Sequence, residues 1–328
     1  MLKLGIRVSN NINVGRGHFE RCLSISEYIN YKIYWFLDHK SNYFEKKITT
    51  KDEIFYEKND DKIDKLLDCL SKKKINIALI DSYSIAKIDI TNLSKIIPVC
   101  LFQDKIEFIN VQMIICPHPV KIENKFKNII LNGPKFAPIS KKFIKRKNSN
   151  NINSKTILVS MGAYDSLGVS LNVIKAINNI SVKEKLSLKT LIILAKGSPI
   201  IKKVKLLIKQ YKNFELIIDP ENMGNIYNFS DIAIGAPGLS HLERLYMGLP
   251  TILISQNNIH KLLVDNWVNL GCAIKSKNKI NLIEKNIVDV INNKKIKNKL
   301  IDNGIQAVDG KGSLRIANSI LKLTKSND

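Results

Sequence analysis

The chain has 328 residues, of which 45 % are apolar, so it is long enough to bury the cores of two domains of ordinary size. Its formal net charge is +23 at pH 7, but nearly all of the basic residues are lysines scattered among asparagine and isoleucine, whereas proteins that read nucleic acid usually depend on arginine. We therefore expect no nucleic-acid partner and leave open a weak attraction to an anionic membrane surface.

Short apolar segments alternate with amphipathic segments of helical length in the first half of the chain. Helices are predicted after His18 and over DDKIDKLLDCLSKKK. The predicted strands are LKLGIRVS, KIYWFL, INIALID, IIPVCLF, VQMIICP and KNIILNG. This alternation is typical of βαβ units and a parallel sheet. Several strands end in Asp, Ser or Asn, as strands often do where the carboxyl edge of a sheet is functional.

A polar stretch rich in Asn, Ser and Lys, from Ser140 to Lys155, interrupts the pattern and predicts a linker. The alternation then resumes with the predicted strands TILVSMGAYDS, LKTLIILAKGS, FELIIDP, DIAIGAPG and TILISQ, and a long helical tail follows. Placing the boundary near Asn150, we predict an α/β protein with an N-terminal Rossmann-like domain over residues 1–150 and a C-terminal one, including the tail, over residues 151–328.

The five cysteines are far apart and form no C-x-x-C pair, so we expect reduced core residues rather than disulfides or a zinc site. The N-terminus enters a strand pattern without a long apolar segment. No later apolar run approaches the ~18 residues of a membrane span. These features predict a cytoplasmic protein.

The segment GRGH follows the first predicted strand and contains Gly17 and His18. A glycine-rich turn leaves backbone N–H groups free at the start of the next helix, where an anion or a developing negative charge is stabilised. The third glycine of G-x-G-x-x-G is absent, so a dinucleotide site is not expected. Two interpretations of the histidine follow: it lies at the edge of a cleft where an anion can bind, or it only caps the helix.

A second glycine-containing turn lies in DIAIGAPGLSHLERLYMGLPTILI. Ser240 can cap the following helix, and Glu243 lies three residues later, as in a capping box. In the functional interpretation, the helix N-terminus receives a diphosphate and the glutamate accepts hydrogen bonds from ribose hydroxyls. The two interpretations are compatible.

The segment SMGAYDS is a third strand-to-glycine loop, which a plain tight turn would also explain. The histidines form no H-x-x-x-H pair, and Asp81, Asp104 and Asp165 lie on separate segments. Spacing therefore supports no metal site, and we expect neither a metal ion nor a cofactor.

Six segments, in order along the chain, resemble the UDP-sugar hydrolases of pseudaminic acid biosynthesis: GRGHFERCL, LIDSYSI, NGPKFAPISKKF, SMGAYDS, GAPGLSHLERLYMGLPTILISQNN and VDGKGSLRIA. That family converts UDP-2,4-diacetamido-2,4,6-trideoxy-β-L-altropyranose to the free sugar and UDP. The loop and helix of the second half are also similar to the two-domain GT-B glycosyltransferases, including the enzyme that adds N-acetylglucosamine to the peptidoglycan lipid intermediate.

The resemblance implies a GT-B fold, in which two Rossmann-like domains face each other across a cleft and UDP is held mainly by the C-terminal one. It implies that His18 is the catalytic base, that Tyr83 lies near the sugar and that Asn257 belongs to the active site. The further residues that it implies in binding UDP or the sugar are Gly15, Gly17, Arg21, Gly162, Gly238, Leu239, Ser240 and Glu243.

The resulting hypothesis is that water attacks the anomeric carbon, that His18 takes the proton of the water and that UDP departs. Charge that grows on the leaving diphosphate would be stabilised at the helix N-terminus near Gly238. Two alternatives remain open at this point. One is a GT-B glycosyltransferase in which an acceptor hydroxyl replaces water, and the other is a nucleotide-sugar-binding protein without catalysis.

Overall fold

Parallel β-sheets form the centres of the two units into which the chain divides. The computed structural model describes residues 2–10, 15–57, 59, 61–122, 128–144 and 155–325. The first unit comprises Met1–Lys141 and Gly310–Asp328, and the second comprises Lys142–Asp309. The predicted boundary near Asn150 lies outside the described residues. The predicted α/β class, with two Rossmann-like domains, is confirmed.

The first unit contains a seven-stranded sheet in which all neighbouring strands are parallel. Its strands are β1 (Lys3–Val8), β2 (Lys32–Leu37), β3 (Glu53–Tyr56), β4 (Ile77–Asp81), β5 (Val99–Phe102), β6 (Met113–Cys116) and β7 (Ile129–Asn132). The helices between them are α1 (Gly17–Ser26), α2 (Asn42–Glu45), α3 (Asp64–Lys73) and α4 (Lys87–Ser94), and a 3-10 turn covers Pro134–Phe136. The order in space is β3-β2-β1-β4-β5-β6-β7.

Apolar residues cover both faces of this sheet, which explains why its strands are nearly continuous apolar runs rather than alternating ones. In β2, Trp35 and Leu37 pack on one side with Phe19 of α1. Tyr34 and Phe36 pack on the other side with residues of α3 and α4. Each face therefore has its own core.

The second unit contains a six-stranded parallel sheet in the order β10-β9-β8-β11-β12-β13. The strands are β8 (Lys155–Ser160), β9 (Leu188–Leu194), β10 (Phe214–Ile218), β11 (Ile232–Gly235), β12 (Thr251–Ile254) and β13 (Ile274–Ser276). The helices are α5 (Val169–Lys183), α6 (Ile201–Ile208), α7 (Met223–Phe229), α8 (Leu239–Tyr246), α9 (Asn258–Asn269), α10 (Ile280–Asn292) and α11 (Lys294–Ala307).

Both sheets reverse their strand order at one point, between β1 and β4 in the first unit and between β8 and β11 in the second. In open parallel sheets, ligands bind outside the carboxyl ends of the strands at such a reversal. The residues directly after β1, β4, β8 and β11 are therefore the places to look for a site in each unit.

The last helix, α12 (Gly312–Lys325), belongs to the first unit, although the sequence analysis assigned the tail to the second domain. Its residues Ile316, Ala317 and Ile320 are fully buried in the core of the first unit. The Ser313 hydroxyl donates to the carbonyl of Ile139 at 3.0 Å. The assignment was wrong because the apolar face of the helix is matched by a surface that is distant in sequence.

All five cysteines are buried and have free thiols. Within the described residues, no helix combines the length and the apolar character that crossing a membrane requires.

Because α12 packs closely against the first unit, Gly312→Ala should strongly destabilise that unit. A β-carbon at this position would lie 2.1 Å from the carbonyl oxygen of Ala137. We expect the variant to lower the free energy of unfolding of the first unit by about 1–3 kcal/mol. Urea denaturation followed by tryptophan fluorescence measures this, since Trp35 lies in the first unit and Trp267 in the second.

Trp35 is observed alone in a Trp267→Phe background, and Trp267 is observed alone in a Trp35→Phe background. Asn318→Ala, at an exposed position of the same helix, is the matched control and should leave both transitions unchanged. A Gly312→Ala variant that shifts only the Trp267 transition would contradict the assignment of α12 to the first unit.

Candidate active site

His18 is the second residue of α1 and lies at the carboxyl edge of the first sheet. The preceding turn depends on Gly15, whose φ is +81°, a conformation that favours glycine. The His18 Nδ1 atom is hydrogen-bonded to the carboxylate of Asp81, the last residue of β4. The helix N-cap is Arg16, so His18 is not the capping residue that the alternative interpretation required.

An ionised carboxylate can only accept hydrogen bonds, so Nδ1 of His18 carries the proton in this pair. The lone pair then resides on Nε2, which makes no hydrogen bond within the described part of the chain. The side chain is 8 % exposed. This is the arrangement of a general base whose tautomer and orientation are fixed by a carboxylate.

Arg21 lies one turn further along α1 and connects two carboxylates. Its Nε and Nη2 atoms both donate to Asp81, the latter at 2.5 Å. Its Nη1 atom donates to Asp104 at 2.8 Å. The guanidinium lies over the ring of Phe102, and the side chain is 6 % exposed. The geometry therefore gives Arg21 an organising role beneath the site, while its contact with a ligand stays a prediction.

Burial and charge act in opposite directions on both carboxyl groups. Burial alone would raise the pKa of Asp81, but Arg21 and then His18 outweigh it and hold that pKa below its usual value. Burial is likewise outweighed at Asp104, where Arg21 and His118 hold the pKa well below its usual range. Both residues are therefore carboxylates at neutral pH.

Tyr83 contacts the other side of this cluster. Its ring stands edge-on to the His18 ring, with the centroids 4.6 Å apart, and its hydroxyl donates to Asp104. The residue is 53 % exposed. Desolvation of the hydroxyl and the charge of Asp104 raise its pKa well above the ordinary value. His118, just after β6, approaches the same carboxylate with Nε2 at 3.5 Å from Oδ1.

Hydroxyl groups lie at the point where the first sheet reverses its order. The Ser9 hydroxyl, directly after β1, donates to the Ser82 hydroxyl, directly after β4, at 2.6 Å. The Ser82 and Ser84 hydroxyls are 3.0 Å apart. Polar groups that can donate or accept therefore lie in the segment that also carries Asp81 and Tyr83.

In the second unit, α8 begins at Leu239 with Gly238 as its N-cap, and no side chain caps it. The expected capping box is wrong, because Ser240 lies inside the helix and its hydroxyl instead accepts from Arg244 Nη1 at 3.3 Å. A serine in this context predicts a cap only approximately, since the backbone angles decide which residue begins the helix. Within the described part of the chain, no side chain accepts from the backbone N–H groups of Leu239 and Ser240.

Two other helices at this edge have occupied N-termini. The carboxylate of Asp165 accepts from Val169 N at 3.0 Å and from Ser170 N at 2.8 Å at the start of α5. The side-chain oxygen of Asn257 accepts from His260 N at 2.7 Å at the start of α9. An anion can therefore approach the backbone donors of α8 more readily than those of α5 or α9.

Glu243 and Arg244 anchor α8. The Tyr227 hydroxyl donates to Oε2 of Glu243 at 2.8 Å, which orients this half-buried carboxylate. Arg244 is fully buried, and its Nη2 donates to the carbonyl of Ala236 at 2.8 Å. Burial lowers the pKa of this guanidinium. A buried cation thus supports the turn that precedes α8.

The predicted site residues form one group in each unit. Gly15, Gly17, His18, Arg21 and Tyr83 lie at the carboxyl edge of the first sheet or in α1, which begins there. The second unit holds Gly162, Gly238, Leu239, Ser240, Glu243 and Asn257. Gly162, two residues after the end of β8, adopts φ +95°.

Sequence reasoning missed four residues of these clusters as well as the role of Arg244: Asp81, Asp104, His118 and Gln256. The available signal was their position at the end of a predicted strand or within two residues after it. Gln256, after β12, donates to the carbonyl of Met161 at 3.0 Å and to Asp165 at 3.2 Å, and so connects two loops of the second unit. Within the described ranges, no three or more His, Cys, Asp and Glu side chains are arranged to hold a metal ion.

No protein-family model matches the chain. Among curated proteins it is similar to the uncharacterized protein MJ1062 of Methanocaldococcus jannaschii, with 20 % identity over 308 residues. The match covers 81 % of this chain and 58 % of the relative, so the chain spans less than two thirds of that protein.

Solved structures share the fold at low sequence identity. MnaA of S. aureus in complex with UDP has a TM-score of 0.74 at 12 % identity, covering 99 % of this chain and 97 % of that one. A UDP-GlcNAc 2-epimerase from Neisseria meningitidis bound to UDP-GlcNAc has a TM-score of 0.70 at 16 % identity, covering 98 % and 100 %. The spinosyn rhamnosyltransferase SpnG with thymidine diphosphate has a TM-score of 0.64 at 10 % identity, covering 94 % and 96 %. The fold is therefore that of GT-B proteins.

The lowered pKa values of Asp81 and Asp104 predict how stability depends on pH. Both groups bind protons less readily in the folded state than in the unfolded state, where an aspartate has a pKa of about 3.9. Their stabilising contribution is therefore complete above that value and is lost as the pH falls through the folded-state pKa. Asp104→Asn should lower the free energy of unfolding at neutral pH by on the order of 3 kcal/mol.

As the pH falls below about 4, Asp104→Asn should lose less stability than the parent protein, because one proton-binding group has been removed. Urea denaturation followed through Trp35 measures both effects. Asp68→Asn, at an exposed position of α3, is the matched control. Equal acid sensitivity of Asp104→Asn and the parent would show that Asp104 does not stabilise the first unit as a charge.

Substitution of alanine for two glycines near α8 should affect the free energy of unfolding differently: Gly235→Ala should lower it clearly, and Gly238→Ala should change it much less. A β-carbon on Gly235 would lie 2.6 Å from the Ser160 carbonyl oxygen and 2.7 Å from Arg244 Nη1, so we expect a loss of about 1–3 kcal/mol in the free energy of unfolding. A β-carbon on Gly238 would meet nothing within 4 Å, and its φ of −76° suits alanine. Urea denaturation followed through Trp267 tests the pair, and equal stability of the two variants would contradict the packing around Arg244.

Proposed function

We propose that this chain binds a UDP-sugar and hydrolyses it to UDP and the free sugar. The observation that carries the proposal is the pairing of His18 with Asp81, which leaves Nε2 of the histidine as a base at the carboxyl edge of the first sheet. The resemblance of GRGHFERCL and the five later segments supports UDP-2,4-diacetamido-2,4,6-trideoxy-β-L-altropyranose as the substrate and a place in pseudaminic acid biosynthesis.

In the proposed reaction, a water oxygen forms a bond to the anomeric carbon while the bond from that carbon to the diphosphate oxygen breaks. The electron pair of the broken bond leaves with UDP. Nε2 of His18 takes a proton from the water, and the imidazolium that forms is stabilised by Asp81, which stays ionised. Arg21 keeps Asp81 oriented throughout.

The second unit would hold the nucleotide. The uncapped N-terminus of α8, at Gly238, Leu239 and Ser240, suits the diphosphate, and the buried Arg244 adds positive charge behind it. Glu243, which the Tyr227 hydroxyl orients, would accept a hydrogen bond from a ribose hydroxyl. The nucleotide ligands bound to MnaA and to the Neisseria enzyme, which share this fold, support a nucleotide site.

The other implied residues keep supporting roles in this proposal. Gly15 allows the turn before His18, Gly17 is the first residue of α1, and Gly162 allows the turn after β8. Tyr83 contacts the sugar, and Asn257 contributes from the start of α9 through its amide nitrogen, since its oxygen caps that helix. The proposed reaction uses no cofactor.

The fold also occurs in glycosyltransferases and in a 2-epimerase, so product analysis has to separate three reactions. The purified chain is incubated with a UDP-sugar and no acceptor, and the products are followed by NMR. Free sugar together with UDP supports hydrolysis. UDP release only when an acceptor is added supports transfer, and an altered sugar still attached to UDP supports epimerisation.

We expect His18→Asn to lower kcat for UDP release by about 10²–10⁴-fold, because the base is removed while the amide can still donate to Asp81. The Kd for UDP, measured by isothermal titration calorimetry, should change little, since the proposed nucleotide contacts lie in the second unit. His39→Asn, at an exposed position of the same unit, is the matched control. An unchanged kcat would remove His18 from the mechanism.

A further inference from the structure

Helix α6 of the second unit has an apolar inner side and a basic outer side. Val204 is fully buried, and Ile201 and Ile208 pack against the core of the unit. On the outer side, exposed side chains recur at the three- and four-residue spacing of one helical stripe, which we call the α6 stripe: Lys202, Lys205, Leu206 and Lys209. Lys209 is the C-cap residue and still has helical backbone angles. Leu206 is 64 % exposed, so a large apolar side chain lies among lysines.

The lysines of the α6 stripe have no acidic partner nearby in the sequence. No aspartate or glutamate occurs between Glu184 and Glu215, a stretch that contains the whole of α6. Within the described ranges, these lysines make no ion pair. Other lysines of the second unit do: Lys183 pairs with Glu284 at 3.1 Å, and Lys189 pairs with Glu215 at 3.3 Å. The positive charge of the α6 stripe is therefore available to a partner outside the chain.

Helix α11 shows that the general excess of lysine does not by itself produce this surface. The residues that are exposed at the same spacing on α11 are Lys295, Asn298, Lys299 and Asp302. A carboxylate thus lies beside the lysines there, and the stripe contains no apolar side chain. The α6 stripe differs from it in both respects.

A bilayer that contains anionic lipids complements both features of the α6 stripe. Its headgroups attract clustered lysines, and its interfacial region takes up an apolar side chain that lies among them. A nucleic acid would also attract the lysines, but it offers Leu206 no apolar environment, and the stretch from Glu184 to Glu215 contains no arginine.

We propose that the second unit docks through the α6 stripe on the surface of a bilayer that contains anionic lipid. This inference does not depend on the proposed function, because no residue of the α6 stripe is among the proposed contacts of UDP or the sugar.

The first experiment measures sedimentation of the purified chain, without UDP or a sugar, with sucrose-loaded vesicles. One set of vesicles contains phosphatidylcholine alone, and the other also contains phosphatidylglycerol. We expect binding only to the second set, and we expect it to weaken as salt is raised above about 0.1 M. Equal binding to both sets, or binding to neither, would overturn the inference.

The triple variant Lys202→Gln, Lys205→Gln, Lys209→Gln should weaken binding to the anionic vesicles by about 10–100-fold, because three lysines no longer face the headgroups. Glutamine has nearly the helix propensity of lysine, so α6 should be retained. Urea denaturation followed through Trp267, which lies in the same unit, verifies folding.

The matched control removes the same charge from exposed positions of α11, with Lys294→Gln, Lys295→Gln and Lys299→Gln. Its affinity for the vesicles should fall by only about threefold or less, since these lysines lie outside the α6 stripe. An equal loss in the two triple variants would mean that the net charge of the chain drives binding, and this would overturn the inference.

Leu206→Gln distinguishes a bilayer from a nucleic acid. We expect it to weaken vesicle binding by about three- to tenfold and to leave binding to a single-stranded oligonucleotide unchanged. Ile88→Gln, at a 62 % exposed position of the first unit, is the matched control and should alter neither. Unchanged vesicle binding of Leu206→Gln would overturn the inference. An oligonucleotide that binds more tightly than the anionic vesicles, and that the α6 triple variant no longer binds, would also overturn it and identify nucleic acid as the partner.

Discussion

The candidate site of the first unit depends on the hydrogen bonds that the buried carboxylate of Asp81 accepts from His18 and Arg21. Asp81 lies at the end of β4, which is hydrogen-bonded to β1, and α1 follows β1 after one turn. This neighbourhood brings His18 and Arg21 to the same carboxylate. Without the guanidinium, the burial of a negative charge would be costly, and without the carboxylate, the histidine would lack a fixed tautomer. The contacts of this one carboxylate therefore couple the stability of the edge to the orientation of His18.

In the second unit, the carboxyl edge of the sheet is shaped by which of the helix N-termini are capped by a side chain. Asp165 and Asn257 occupy backbone donors of α5 and α9, while Gly238, the N-cap of α8, has no side chain that could do so. Each cap contributes on the order of 1 kcal/mol to helix stability, so an uncapped helix start is a loss that a bound anion can offset. The buried Arg244 acts in the same direction as the helix dipole. Short-range hydrogen bonding thus explains why we expect an anion at the start of α8 rather than at the start of α5 or α9.

Local patterns predicted the strands and most helices because apolar periodicity is a property of short segments. They failed where a distant contact decides the outcome. The half-buried strand β3 and the helix α4 carry weak periodicity, and the apolar face of α12 gives no sign of which unit covers it. His18 was found from the turn before it, but Asp81, Asp104 and His118 come from three separate strand ends. Only the strand order shows that they meet. The expectations about nucleic acid, membrane surfaces and cellular location remain predictions.

The assignment of α12 to the first unit means that the second unit is an insertion within it. During translation, residues 310–325 leave the ribosome after all of residues 142–309. The apolar surface that Ile316 and Ile320 cover stays open until then, although most of the first unit has already been made. Domains otherwise tend to fold in the order of their synthesis. The first unit can therefore be completed only after its last helix has been synthesised. A nascent chain stalled within the second unit would expose that surface to chaperones.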